Sequence, residues 1–244
     1  MNESLLQKFT TDAEPGHPNL PPRDAATLIL LDRSGPVPKV LMGKRHQSDV
    51  FLPNRFVFPG GGVDSSDRHM VPGVPLDPRA EKKLMTKIKA PTASKARALA
   101  LAAVRETYEE TGLLLGTQRD TAPKTPMGPW EAFAEAKIHP DLSTMHFIAR
   151  AVTPPRRKRR YDARFFTMDA SAIAHRIDGK VGPDLELTEL VWIPLPEIKQ
   201  RIELLVITEI VLGDLMKQID AGFSHDLPVP YYHVVHGKRV RDLL

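Results

Sequence analysis

The chain contains no cysteine, which excludes disulfides, thiolate metal sites and cysteine nucleophiles. It has no apolar run near the roughly 18 residues that span a bilayer, so no membrane contact is expected. The opening Met1-Asn-Glu-Ser-Leu5 has no basic stretch followed by an apolar one, so no signal peptide is expected. These absences lead to the expectation of a soluble cytoplasmic protein. No internal repeat is visible, and a formal net charge of +4 is too small to name a partner by itself.

The 244 residues, 41% of them hydrophobic, suffice for one large domain with additions. The 23 prolines are about 9% of the chain against a usual ~5%, which implies long ordered loops or an arm. Residues 1–23 read as that arm, because Glu14-Pro-Gly-His-Pro-Asn-Leu-Pro-Pro22 can hold neither a helix nor a central strand. Ala25–Leu31 and Lys39–Arg45 read as a hairpin through Gly35 and Pro36, and Arg55–Phe58 as a third strand. Residues 64–91 are proline-interrupted and loop-like, with a short basic helix over Arg79–Lys89. A long helix follows, capped by Thr92 or Ser94 and closed by Gly112. Further strands are expected at Leu113–Leu115, Thr144–Val152, Tyr161–Thr167 and Leu187–Ile193. Helices are expected at Trp130–Lys137 and Ile202–Ala221, and residues 223–244 form a tail hairpin turning at His236-Gly237. The pattern is that of an α/β fold, a mixed sheet sandwiched between helices.

Three places carry chemistry. Glu106, Glu109 and Glu110 stand at i, i+3 and i+4, so they share one helix face and repel one another. Such a face is either solvated or offset by a hard divalent cation. Arg105 stands directly before it. Gly60-Gly61-Gly62 is costly in backbone entropy, and is either a plain turn or a place where backbone approaches another group closely. The cations Lys44 and Arg45 at a strand end, and the run Arg156–Arg160, are either solvated or line an anionic site.

Together, Phe58-Pro-Gly-Gly-Gly-Val-Asp64 and Arg105-Glu-Thr-Tyr-Glu-Glu-Thr-Gly-Leu113 resemble the signature of the Nudix hydrolases. The resemblance spans roughly residues 24–200. Thr107 stands where an aliphatic residue is usual, and Asp67 follows Gly61 at the spacing where the family has Glu. Counted back from Arg105, that Glu position falls on Arg97, so an insertion at about 68–92 splits the signature. A split of this kind, together with the strand Tyr161–Phe166 after a Thr-Pro break, is similar to the peroxisomal CoA diphosphatase branch.

The resemblance implies a Nudix domain over 24–222 that hydrolyses a diphosphate in a nucleotide-like small molecule, with Mg²⁺ or Mn²⁺ as cofactor. Coenzyme A or acyl-CoA is favoured; ADP-ribose or a dinucleotide, and a nucleotide-binding protein without turnover, are the alternatives. It implies Glu106, Glu109 and Glu110 as metal ligands, Glu106 also as a candidate base, and Arg105 as a clamp on Glu109, with the Gly60 or Gly61 carbonyl completing the shell. Asp67 is a doubtful ligand, because the insertion follows it. One later acid is expected from Asp162, Asp184, Glu186 and Glu189. Lys44, Arg45, Arg157 and Arg160 are candidates for substrate phosphates, and Phe51, Phe56 or Tyr161 for a base shelf. The basic insertion is a candidate contact for an extra phosphate such as the 3′-phosphate of CoA. RNA contact has only the basic runs behind it. The arm and the tail, outside the family core, are candidates for a homodimer interface.

Overall fold

The computed structural model describes residues 18–48 and 53–244. The strands are β1 (Arg23–Asp32), β2 (Lys39–Arg45), β3 (Phe56–Val57), β4 (Gly60–Gly62), β5 (Leu113–Leu115), β6 (Thr117–Gln118), β7 (Ile138–His139), β8 (His146–Val152), β9 (Tyr161–Asp169), β10 (Ile173–Arg176), β11 (Leu187–Pro194), β12 (Pro230–Val235) and β13 (Lys238–Leu243). The helices are α1 (Ser65–His69), α2 (Pro78–Leu84), α3 (Ala93–Thr111), α4 (Glu131–Glu135), α5 (Ile198–Arg201) and α6 (Val206–Asp220).

The main sheet runs β11-β2-β1-β9-β8-β12-β13, with β1 parallel to β9 and β8 parallel to β12, so it is mixed as expected. Along β1 the side chains alternate between two cores. Ala26, Leu28 and Leu30 join a cluster with α3, whereas Ile29 and Leu31 join one with α6. Helices thus cover both faces of the sheet.

Strand β1 changes partner along one edge. Ala25–Thr27 pair with β4, and Leu31–Asp32 pair with β2. That exchange brings the glycine strand beneath α3. The helix itself begins where Thr92 Oγ1 accepts from Lys95 N at 3.2 Å, and it ends at Gly112, with φ 77°.

Several expectations are corrected. Residues 1–17, most of the proposed arm, lie outside the described residues, and β1 already starts at Arg23. The amphipathic helix starts at Val206, because Ile202 is extended after the short α5. The tail does turn at His236 (φ 48°) and Gly237 (φ 74°), and it joins the main sheet, where Tyr231 and Tyr232 of β12 pair with Arg150 and Ala151 of β8. The insertion holds two short helices. The basic one stops at Leu84, and Lys87 and Ala90 follow at positive φ.

The insertion's charges are engaged by the tail. Arg79 binds Asp77 and Asp226 at 2.8 Å, Lys83 Nζ donates to the carbonyls of His225 and Leu227, and Lys87 meets Asp242 at 2.5 Å. Beside them His146 stacks on His225 with ring centroids 4.0 Å apart and 4° between planes. Burial, then the neighbouring His225 and Arg33, push the His146 imidazole down to about 4. The folded state therefore binds fewer protons than the unfolded chain below the usual histidine range, and stability is lost as pH falls from about 6.5 towards 4. His146→Phe, which keeps a ring in the stack, should remove on the order of 1–2 kcal/mol of that acid sensitivity. Chemical denaturation at pH 7 and pH 5 checks this; equal pH dependence in both proteins would contradict it.

Candidate active site

The last turns of α3 present Arg105, Glu106, Glu109 and Glu110 towards β4 and the insertion. Glycine is required at two points of β4. A Cβ on Gly60 would lie 2.6 Å from the Ala26 carbonyl oxygen, and one on Gly61 would lie 2.5 Å from Glu106 Oε2. Close approach, not positive φ, explains the glycines. The two differ in what must yield. Gly60→Ala should destabilise the fold, since backbone blocks it. Gly61→Ala should leave the melting temperature within a few degrees yet lower activity about tenfold or more, since only the Glu106 carboxylate has to move. Thermal melts and turnover of both variants check this contrast; an unaffected rate in Gly61→Ala would contradict it.

Arg105 is the hub. Its side chain is 6% exposed and all five of its N–H donors are engaged. Nε donates to Asp67 Oδ1 at 2.8 Å, and Nη2 to Asp67 Oδ2 at 3.0 Å and to the Gly62 carbonyl at 2.8 Å. Nη1 donates to Glu106 Oε1 at 2.8 Å and to Glu109 Oε2. Burial works against the guanidinium, but Asp67, Glu106 and Glu109 outweigh it, and the net shift is upward. Arg105 thus holds two carboxylates in place and has no donor left for a substrate.

Asp67 is fully buried and belongs to the clamp. It sits in the capping box of α1, accepting from Asp64 N at 2.8 Å, while Asp64 accepts from Ser66 N at 2.8 Å. The insertion after Asp67 does not carry it away from α3. It departs and returns, leaving Asp67 bidentate on Arg105.

Glu110 is 6% exposed, and its Oε2 has no hydrogen-bond partner. Burial, then the charges of Glu186 and Glu106, push its carboxyl well up, against the pull of Arg45 and the Gly60 N–H. Burial likewise raises Glu106, with Arg105 opposing. Among the described residues no three carboxylates or imidazoles converge on one point, because Arg105 draws Glu106 and Glu109 to itself. The donor set nonetheless fits a hard cation: three carboxylates in one turn, one of them buried with an unsatisfied oxygen.

The other candidates separate by side of the sheet. Arg45 pairs with Glu186 at 3.0 Å, and both charges act on Glu110. Lys44, one residue earlier, alternates to the α6 side, and Glu189 is its cross-strand partner. Asp184 is exposed in the loop before β11. Asp162 is occupied by Arg150, at 2.8 Å and 2.7 Å, and by Arg164. Glu186 is therefore the later acid whose charge bears on Glu110. Arg160 is not brought to it; its guanidinium ties Thr153 to Asn19 and Leu20. Arg157 lies half-buried in the turn between β8 and β9. Phe56 packs in the α6-side core, Tyr161 begins β9 with its N–H on Thr153 Oγ1, and Phe51 lies outside the described residues. The pairing of Glu186 with Arg45 leaves no signal in the sequence.

Neither a scan of protein-family profiles nor a search of curated protein sequences returned a match. Solved structures did. The chain is similar to a Nudix hydrolase from Alicyclobacillus acidocaldarius, with 28% identity over 85% of this chain and 96% of that one, and a TM-score of 0.61. Looser matches are the Nudix hydrolase RenU from M. smegmatis (16% identity, 83% and 88% coverage, TM-score 0.43) and a MutT Nudix hydrolase from Burkholderia pseudomallei (17%, 80% and 99%, 0.44). The first of these carries the comparison. The chain has the fold of Nudix hydrolases, and the likeness supports a hydrolase acting on pyrophosphate bonds.

Proposed function

We propose that the protein is a divalent-cation-dependent hydrolase of Nudix type that cleaves the diphosphate of a nucleoside diphosphate derivative. The observation that carries this reading is the buried, unpartnered Oε2 of Glu110 beside Glu106 and Glu109, on a helix face apposed to the glycine strand. Arg105 already offsets Glu106 and Glu109, whereas Glu110 keeps a buried oxygen that a hard cation would satisfy.

In this reading Glu106, Glu109 and Glu110 hold Mg²⁺ or Mn²⁺, with the Gly61 carbonyl a candidate further ligand. A bound cation would neutralise phosphate charge and acidify water there. Arg105 orients Glu106 and Glu109, and Asp67 and Gly62 orient Arg105. Glu186 is the later acid and the candidate to accept a proton from the attacking water. Arg45 is the cation that meets the substrate's phosphates. Lys44 and Arg160 drop out of that role.

Coenzyme A or acyl-CoA remains the first substrate to test, on the split signature. An extra phosphate contact in the insertion would fall to Lys82 and Lys89, since Arg79, Lys83 and Lys87 bind the tail. The engagement of those three favours ADP-ribose or a dinucleotide, which carry no 3′-phosphate, as the second reading. Incubation with Mg²⁺ or Mn²⁺ and CoA, acyl-CoA, ADP-ribose, NADH, diadenosine polyphosphates and triphosphate-ended RNA decides among them. Cleavage of CoA alone would support the first, and cleavage of ADP-ribose or NADH alone the second. Tight nucleotide binding without cleavage of any compound would replace both with a binding protein. A homodimer through the exposed edge of β13 is proposed alongside, and sedimentation of the full chain tests it.

A further inference from the structure

The pairing of Arg45 with Glu186 carries an inference that rests on the reading above. The neighbourhood of Glu110 has two kinds of cation. Arg105 has every donor committed to Asp67, Gly62, Glu106 and Glu109, so none is left over for a phosphate. Arg45 is different. It ends β2 on the α3 side, 17% exposed, and it pairs with a carboxylate that is itself half-exposed at 51%. Glu186 is carried on the backbone next to it, where His46 N donates to the Glu186 carbonyl at 3.0 Å. Arg45 is the positive charge shared by Glu186 and the unsatisfied Glu110.

We propose that Arg45 is a latched phosphate-binding residue, held by Glu186 as the stand-in counter-charge of the carboxylate cluster and released towards a diphosphate when a divalent cation takes over those carboxylates. The latch orders the encounter. A diphosphate arriving first meets a cluster rich in negative charge, with Arg45 engaged by Glu186. A diphosphate arriving after the cation finds the charge of Glu106, Glu109 and Glu110 offset, and Arg45 can exchange Glu186 for phosphate. Diphosphate affinity thus depends on the cation through a protein side chain, in addition to any direct contact between cation and phosphate.

A double-mutant cycle on binding separates this from simple charge removal. ADP and inorganic pyrophosphate are titrated by calorimetry into the wild type, Glu186→Gln, Arg45→Gln and the double variant, in chelator and in Mg²⁺, with melting curves confirming that all four fold. In chelator, Glu186→Gln should bind ADP about tenfold more tightly than the wild type, and the gain should vanish in the Arg45→Gln background. Removal of a negative charge alone would give the same gain with or without Arg45. In Mg²⁺, the gap between wild type and Glu186→Gln should narrow. The latch is overturned if the gain persists without Arg45, if Glu186→Gln binds no better than the wild type in chelator, or if it binds neither probe. Because the readout is binding, a protein that fails to turn over any nucleotide can still show the latch, and an active enzyme can still lack it.

Discussion

Glu110→Gln is expected to abolish most hydrolysis, by about 100-fold or more, while raising the melting temperature of the metal-free protein. The two effects have one cause. Glu110 is buried beside Glu106 and Glu186 with one oxygen unsatisfied, so the protein carries a cost of order 1–3 kcal/mol that folding alone does not require. An amide removes the charge, and its N–H group is attracted by the carboxylates that repel Glu110. The sign of the pH dependence follows. A carboxyl raised in the folded state stabilises the fold fully below its unfolded value, and that contribution is lost as pH rises through the raised folded value. The variant's advantage should therefore be small near pH 4, where both proteins are uncharged at this position, and grow towards neutral pH. Added Mg²⁺ or Mn²⁺ should stabilise the wild type and leave the variant nearly unmoved. Melting curves at several pH values, with and without metal, check this. A variant less stable than the metal-free wild type at neutral pH would mean that Glu110 is satisfied in a way its geometry does not reveal.

Asp67→Ala should be strongly destabilising. Asp67 is fully buried and holds Arg105 through two bonds, so its removal leaves two donors of a guanidinium that is only 6% exposed without acceptors, while Glu106, Glu109 and Gly62 hold the other three. Breaking a buried pair from one side costs about 3–5 kcal/mol, a large part of the stability of a domain this size. It also opens the capping box of α1, where Asp64 N loses its acceptor at 2.8 Å. Asp67→Asn, which keeps one acceptor for Arg105, should lose less stability but still lower activity, because Arg105 then sets Glu106 and Glu109 less firmly. Denaturant unfolding of both variants tests the order, and near-wild-type stability in Asp67→Ala would show that Arg105 finds another acceptor.

These two residues also mark what could be read from the sequence. Glu110 belongs to a local pattern: i, i+3 and i+4 spacing places it on the face with Glu106 and Glu109 wherever the helix forms, and Gly112 announces the end of that helix. Most strands of the main sheet were legible for the same reason, since alternation and turns are local; β4 was not, because Gly60–Gly62 has no side chains to alternate and read as a turn. Asp67 was half legible. Its spacing from Gly61 fitted the resemblance, but its partner Arg105 lies 38 positions further on, and only the folded insertion brings the two together.

Charge in loops was the least legible. The lysines and arginine of the insertion looked like phosphate contacts. Three of them, Arg79, Lys83 and Lys87, instead bind carbonyls and carboxylates of the tail, with Lys83 reaching 142 and 144 positions along the chain and Arg79 reaching 147. Glu186 could not be told from Asp162, Asp184 and Glu189 until sheet register put Arg45 on the α3 side and Lys44 on the other. Partners that distant in sequence leave no local signal.

The central claim is that the acidic face of α3 is a metal-dependent hydrolytic site, and the rate of diphosphate cleavage by the wild type and by Glu109→Gln, with Mg²⁺ or Mn²⁺ and in chelator, tests it most directly. Glu109 is the most exposed of the three helix carboxylates, with its side chain 34% exposed, so its substitution leaves the buried core untouched. The account predicts cleavage of at least one nucleoside diphosphate derivative by the wild type with metal and none in chelator. It also predicts a loss of about 100-fold or more in Glu109→Gln with an unchanged melting curve. Near-normal rates in Glu109→Gln, or full activity in chelator, would contradict it.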